Sequence, residues 1–291
     1  MLVPAAVLAM GTVLATPAGA APAEDTSVFD SYVALGDSYS AGPLIPPQGG
    51  APAGCLRSTR NFPSLVAERG GVPQSTDVSC SGATTEHLFA PQLTPLGTNP
   101  PQLDALTEDT EGVTLTIGGN DIGFTGILAE CTARSAERPR GAACRDAYTA
   151  DGEDELRRRI AETAPEVAAA LAAITERAPD ARVLLVGYPA VLPDSGPGCY
   201  PLVPLRPGDV EYLRETQEAL NAMLAEQADA AGVGFVDTHD RFVGHDVCRR
   251  PGVRWIEGPA PTAPAAPAHP NAQGMVEMAG EVLRALGQRS S

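Results

Sequence analysis

Val33-Ala34-Leu35 is a short apolar run that stops at Gly36-Asp37-Ser38, and this junction constrains the fold more than any other stretch of the 291-residue chain. An unbroken apolar run bounded by turn chemistry has the pattern of a strand buried on both faces. A serine at the end of such a strand, opening the helix behind it, has an exposed hydroxyl and a free backbone N–H. A serine nucleophile needs both, one for attack and one for the oxyanion that follows. Asp and Ser at this place also cap helices, so the string alone leaves two readings open.

Three further motifs stand at comparable places. Ile117-Gly118-Gly119-Asn120-Asp121 follows a second apolar run, Val113, Leu115 and Ile117. Its glycines admit close backbone approach, and the Asn120 amide can point an N–H at developing negative charge. His269-Pro270-Asn271-Ala272-Gln273-Gly274 precedes the last amphipathic segment and supplies an imidazole able to act as general base toward Ser38. Between them, Cys80-Ser81-Gly82-Ala83-Thr84-Thr85 is a glycine-bearing turn after Val78 that can present another backbone N–H. Each motif singly is ordinary turn chemistry. The set, in this order, reads as one catalytic constellation.

Along the chain, apolar runs near 32–36, 77–79, 112–117, 182–187 and 233–237 read as strands. Helical periodicity covers 62–69, 121–130, 153–177, 210–230 and 272–287, with Thr163-Ala164-Pro165-Glu166 resembling a capping box that would divide the third. Leu213, Leu220, Met223 and Leu224 fall on one face of the fourth, fit to cover a sheet. Alternating β and α elements imply a parallel sheet with helices on both faces, and ligands bind such sheets at the carboxyl ends of the strands. Ser38 and Asn120 stand at two of those ends. Pro43–Gly54 and Pro259–Pro270 are rich in Pro, Gly and Ala, and prolines at 259, 261, 264, 267 and 270 favour an extended ribbon before His269. Trp255 is expected to pack under that loop, and His87, His239 and His245 to be structural or surface residues.

These motifs resemble those of the SGNH, or GDSL, hydrolase superfamily, in particular its secreted lipase and esterase branch from high-GC Gram-positive bacteria. Ala181–Pro189 and Gly234–Asp237 are similar to that branch as well. The resemblance implies an α/β class fold, a flavodoxin-like three-layer α/β/α sandwich whose parallel sheet has about five strands. It also implies carboxylic-ester hydrolysis through an acyl-enzyme, with Ser38 as nucleophile and His269 as base. Ser38 N–H, Gly82 N–H and Asn120 would be the oxyanion donors, and no cofactor or metal is implied. The family usually carries an Asp three residues before the histidine, and here that residue is Ala266. Some members use a backbone carbonyl instead, so the expectation is a Ser38–His269 dyad with the Ala266 carbonyl accepting the Nδ1 proton. A carboxylate from elsewhere, Asp237, Asp240, Asp246 or Glu257, is the rival. Phospholipase A-type hydrolysis, carbohydrate deacetylation and acyl transfer are alternatives within the enzyme class. A non-catalytic glycan- or lipid-binding module is the alternative outside it, against which intact Ser38 and His269 speak.

Residues 2–20 are apolar and end in Ala18-Gly19-Ala20, which fits a signal peptide over 1–20, although no Lys or Arg precedes the apolar stretch. Residues 21–291 are then expected to form a single secreted domain, monomeric and without membrane insertion. Six cysteines in an exported chain are expected to be oxidised, and spacing leaves all fifteen pairings open. The family resemblance implies sequential pairs: Cys55–Cys80, Cys131–Cys144 and Cys199–Cys248. There is no CxxC or HExxH spacing for zinc. The net charge of −16, with no lysine, repels nucleic acid and anionic headgroups at long range. Arg157-Arg158-Arg159 reads as a solvated helix face.

Overall fold

The computed structural model describes Met1, residues 27–138 and residues 141–287, so the leader expected over 1–20 lies, past Met1, outside the described residues. Strand β1 (Ser31–Gly36) is followed by the one-turn helix α1 (Ser38–Ala41), then α2 (Phe62–Arg69) and β2 (Gln74–Asp77). A short helix α3 (Glu86–Phe89) and a hairpin, β3 (Gln92–Thr94) with β4 (Gly97–Asn99), lead to β5 (Gly112–Thr116). Next come α4 (Phe124–Glu137), α5 (Ala143–Tyr148), α6 (Glu155–Arg177) and β6 (Arg182–Val186). The chain then runs through α7 (Pro207–Ala231), β7 (Gly234–Val236), α8 (His239–Phe242) and α9 (Ala272–Gly287).

Five of the strands form one sheet in the order β2-β1-β5-β6-β7, every neighbouring pair parallel. Counting only these five in chain order gives the 2-1-3-4-5 arrangement of doubly wound flavodoxin-like sheets, whose switch point lies between the first and third strands. That point is the gap between β1 and β5, where Ser38 and the Gly-Gly-Asn-Asp turn emerge. Because crossovers leave β1 in both directions with one hand, helices cover both faces. Helix α2 packs against α9, and α6 against α7. In register across the middle of the sheet stand Leu35, Leu115 and Leu185, all fully buried. The apolar runs of β1, β5 and β6 are continuous because water touches neither face.

Four details differ from the sequence reading. Strand β2 occupies Gln74–Asp77, a polar edge strand, instead of 77–79. Edge strands need one buried face at most, so apolar patterning points past it. Helix α4 starts at Phe124 after the left-handed Gly123 and extends to Glu137. Helix α6 runs unbroken through Pro165. Thr163 donates its hydroxyl back to the Arg159 carbonyl at 2.9 Å, and the cap is Asp154, which accepts the N–H groups of Leu156 and Arg157. Burial of Ile160, Val167, Leu171 and Ile174 on one face holds the helix together past the proline. The β3–β4 hairpin had no signal in the pattern reading.

Disulfides join Cys55 to Cys80, Cys131 to Cys144 and Cys199 to Cys248. Cys131–Cys144 joins α4 to α5, Cys55–Cys80 ties the segment before α2 to the turn after β2, and Cys199–Cys248 ties the segment after β6 to the segment after α8. Among the described residues no helix is long and apolar enough to cross a membrane. Arg158 pairs with Glu162 and Arg159 with Glu155, so the arginine run is a solvated helix face. Trp255 stacks on His245 at 3.5 Å between ring centres and meets Phe242 edge-on, beneath the loop that carries His269.

Candidate active site

Leaving β1, the chain turns at Asp37, the N-cap of α1, whose Oδ1 accepts the Tyr39 N–H at 2.8 Å. The cap is therefore Asp37, and the hydroxyl of the neighbouring Ser38 takes no part in it. Ser38 is the first residue of the helix, where a backbone N–H has no intrahelical acceptor. Its Oγ lies 2.7 Å from His269 Nε2, although 231 positions separate them in the chain.

His269 Nδ1 lies 2.8 Å from the carbonyl oxygen of Pro267, which corrects the expectation of Ala266. The Ala266 carbonyl accepts the backbone N–H of His269 at 3.2 Å instead. Ala268 is the reason. It is left-handed, with φ +61°, donates its N–H to the Glu257 carbonyl and accepts the Tyr39 hydroxyl at 2.6 Å. That bend turns the carbonyl two residues before the histidine toward the ring and closes a backbone turn with the one before it.

No carboxylate hydrogen-bonds to His269 among the described residues. Asp237 caps the His239 N–H, and Asp240 is exposed. Asp246 accepts the Cys248 N–H and Arg249. Glu257 is buried and pairs with the equally buried Arg254 at 2.8 Å, while accepting from the Thr262 N–H and from Asn271 Nδ2. Burial pushes its carboxyl up, but those three donors outweigh it and hold it below the ordinary value. Asn271 also caps α9, its Oδ1 accepting the Gln273 and Gly274 N–H groups. The His-Pro-Asn motif thus starts the last helix and clamps the histidine loop through one side chain.

Asn120 follows β5 and donates through Nδ2 to the Ala83 carbonyl at 2.8 Å, leaving its second amide hydrogen to the site. This bond fastens the Asn120 turn to the Cys80–Ala83 turn, where Cys80 N–H meets the Gly36 carbonyl and Ser81 N–H the Cys55 carbonyl. Gly82 stands there with φ +81°, a conformation that favours glycine, and its N–H has no partner among the described residues. Ser38 at the start of α1 and Gly82, Asn120 and His269 on turns and loops are thus carried by segments that hydrogen bonds and the Cys55–Cys80 disulfide hold together.

A cavity of about 300 Å³ opens beside Ser38, His269 and Asn120. Its walls are mainly apolar: Phe124 and Leu128 of α4, Val191 and Leu205 from the segment after β6, Leu220 of α7, and Val247. Two disulfides brace these walls, since Cys131 adjoins the lining residue Thr132 and Cys199–Cys248 joins the 190–206 loop to the residue after Val247. Trp255 does not line it.

Two aromatic residues of the site escaped the motif reading. Tyr39 reaches the Ala268 carbonyl and lays its ring 4.8 Å from the His269 ring. Tyr188 donates its hydroxyl to Asp37 Oδ2 at 2.5 Å and accepts the Gly119 N–H at 2.8 Å. The signal for Tyr188 was its place in Gly187-Tyr188-Pro189, directly after β6. Burial pushes the Asp37 carboxyl up to about 7, against the hydrogen bonds from Tyr188 and the Tyr39 N–H that favour its ionised form.

The profile of the GDSL-like Lipase/Acylhydrolase family matches residues 34–276. A protein named Lipase 2 from Streptomyces coelicolor is 42% identical over 283 residues, covering 96% of this chain and 93% of its own. The crystal structure of phospholipase A1 from Streptomyces albidoflavus superposes with a TM-score of 0.72 at 25% identity, over 90% of this chain and 100% of its own. An extracellular lipase from Streptomyces rimosus gives 0.72 at 29% identity, over 88% and 99%. The chain belongs to the GDSL-like lipase/acylhydrolase family. Its fold is the α/β/α sandwich of SGNH hydrolases, and it is a serine-type carboxylic ester hydrolase.

Burial lowers the His269 pKa from its ordinary 6.5, and the Pro267 carbonyl opposes this only in part. An imidazole accepts a proton only in its neutral form, so the lowered pKa leaves His269 able to accept one further into acid. The acid limb of the kcat/KM profile is therefore expected below pH 6.5, with activity rising as pH rises through it. Asp37 titrates nearby, and the Asp37→Asn variant separates the two. The limb should persist at the same pH in that variant, whatever rate remains. A limb that disappears in Asp37→Asn would assign it to the aspartate.

Proposed function

We propose that Ser38 is the nucleophile and His269 its general base. The N–H groups of Ser38 and Gly82 and the amide of Asn120 are the oxyanion donors. The observation that carries this reading is the 2.7 Å contact between Ser38 Oγ and His269 Nε2 at the mouth of an apolar cavity. Nε2 takes the hydroxyl proton as Oγ bonds to the ester carbonyl carbon, and the carbonyl electron pair moves onto an oxygen facing the donors. Collapse breaks the bond to the leaving oxygen, which receives the proton from Nε2 and departs as the alcohol. Water then repeats the sequence on the acyl-serine, giving its proton to His269 and releasing the carboxylic acid as Ser38 regains its hydroxyl. The Pro267 carbonyl keeps the proton on Nδ1, so that Nε2 is the free base.

The apolar lining favours an acyl group with several methylenes over acetyl, and a lipid or other fatty ester over an acetylated sugar. Each methylene buried is worth about 0.8 kcal/mol, roughly fourfold in kcat/KM. Across a series of esters of one alcohol, kcat/KM is expected to climb by about that factor per methylene from acetyl until the cavity is full. A maximum at acetyl, or preference for an acetylated sugar over a phospholipid and a fatty ester, sinks the acyl-cavity reading. Incubation with an organophosphonate, followed by intact mass and peptide mapping, should give one adduct, on Ser38. No adduct would leave a non-catalytic binding module.

Export of the chain as one domain, residues 21–291 after a leader at 1–20, is consistent with three disulfides and with the extracellular lipase among its structural relatives. Thiol titration of the denatured, unreduced protein is expected to read near zero, and two or more thiols would overturn this reading.

A further inference from the structure

Tyr188 is held unusually firmly for a residue just past a strand. Asn221 of α7 clamps its backbone from both sides, Oδ1 accepting the Tyr188 N–H at 2.9 Å and Nδ2 donating to its carbonyl at 2.8 Å. The side chain is buried and meets the Tyr39 ring edge-on at 5.0 Å between centres. Its hydroxyl has one proton, and Asp37 Oδ2 takes it at 2.5 Å. Its lone pair takes the Gly119 N–H at 2.8 Å. One oxygen thus joins the turn that carries Ser38 to the turn that carries Asn120, while helix α7 fixes where that oxygen stands. The approach is too close for any side chain at 119, because a Cβ there would lie 2.8 Å from the Tyr188 hydroxyl. This gives the second glycine of Gly118-Gly119-Asn120 a reason.

Resting on the assignment of Asn120 as an oxyanion donor, we propose that Tyr188 is the positioning residue of Asn120, tethering the oxyanion turn to the nucleophile turn through Gly119 and Asp37. An oxyanion donor works because it is in place before charge develops, so a donor whose turn drifts loses value in the transition state first. Displacements of about 1 Å from such supporting changes can cost on the order of 10²-fold in rate. Tyr188 touches none of the reacting atoms in this account, and its effect passes through Asn120.

The test is a double-mutant cycle on a short soluble ester, with kcat and KM measured separately. Tyr188→Phe keeps the ring and removes both hydrogen bonds. It is expected to lower kcat by about 10- to 100-fold with KM changed by less than about threefold. In the Asn120→Ala background the same substitution is expected to lower kcat by no more than about threefold, because the donor it aligns is gone. Gly119→Ala, which forces the hydroxyl and the turn apart, is expected to mimic Tyr188→Phe and stands in for it should that variant not fold. Additive losses in the cycle, or wild-type kcat in Tyr188→Phe, would overturn the proposal while leaving Asn120 as a donor. Wild-type kcat in Asn120→Ala would overturn the oxyanion assignment and the proposal with it.

Discussion

Ser38→Ala is expected to lower kcat by about 10⁴-fold or more, the scale seen when a serine nucleophile is removed. Its thermal midpoint should stay within about two degrees of the parent, since this buried side chain is small and makes one hydrogen bond, to His269. Apart from the bond to His269, the Ser38 hydroxyl holds nothing that the fold depends on. His269→Ala should match it in rate. Substituting the carboxylates should not. Asp237→Asn, Asp240→Asn and Asp246→Asn should each keep most of kcat, because none of these groups hydrogen-bonds to the imidazole. Glu257→Gln should act by another route. It unbalances the buried pair with Arg254 in the loop that carries His269. Breaking such a pair typically costs about 3–5 kcal/mol of stability, so the midpoint falls while activity per folded molecule is retained. A loss near 10⁴ in kcat for any one folded carboxylate variant would mean that a triad exists after all.

Asn120→Ala is the other large effect, about 10²–10³ in kcat, the usual consequence of removing one oxyanion donor. Because Nδ2 also holds the Ala83 carbonyl, the variant additionally frees the Gly82 turn, so the loss should sit at the upper end of that range. KM should move little, since the donor meets charge that exists only in the transition state. A change confined to KM would make Asn120 a substrate-binding residue and would leave the oxyanion to the two backbone donors. Measuring both constants on one soluble ester decides between these outcomes.

What could be read in advance was whatever depends on neighbours in the chain. An apolar run ending at Gly36-Asp37-Ser38 carries its own strand, turn and cap, and the parallel sheet follows from strands and helices that alternate along the chain. The asparagine turn after β5 is legible for the same reason. Tyr188 was not, because its partners Asp37 and Gly119 are 151 and 69 positions away and only the closed sheet brings the three together. The choice between the Ala266 and Pro267 carbonyls hangs on one dihedral angle, that of Ala268, within a stretch of Pro and Ala whose pattern says only that it is extended. Pro165 misled in the opposite direction. Local chemistry there favours a helix break, and the buried face of α6 overrides it.

The carbonyl beneath His269 has a consequence for how this enzyme can be damaged. An aspartate in that place is a single point of failure, since one codon change removes it. The Pro267 carbonyl belongs to the main chain, and no substitution deletes it. What holds it in place is shared among the left-handed Ala268, the Tyr39 hydroxyl, the Glu257 backbone and the Asn271 clamp. Each of these can weaken without the others letting go. Decline under mutation should therefore be graded, a series of modest losses spread over Tyr39, Ala268 and Asn271, where a side-chain triad would fail in one step.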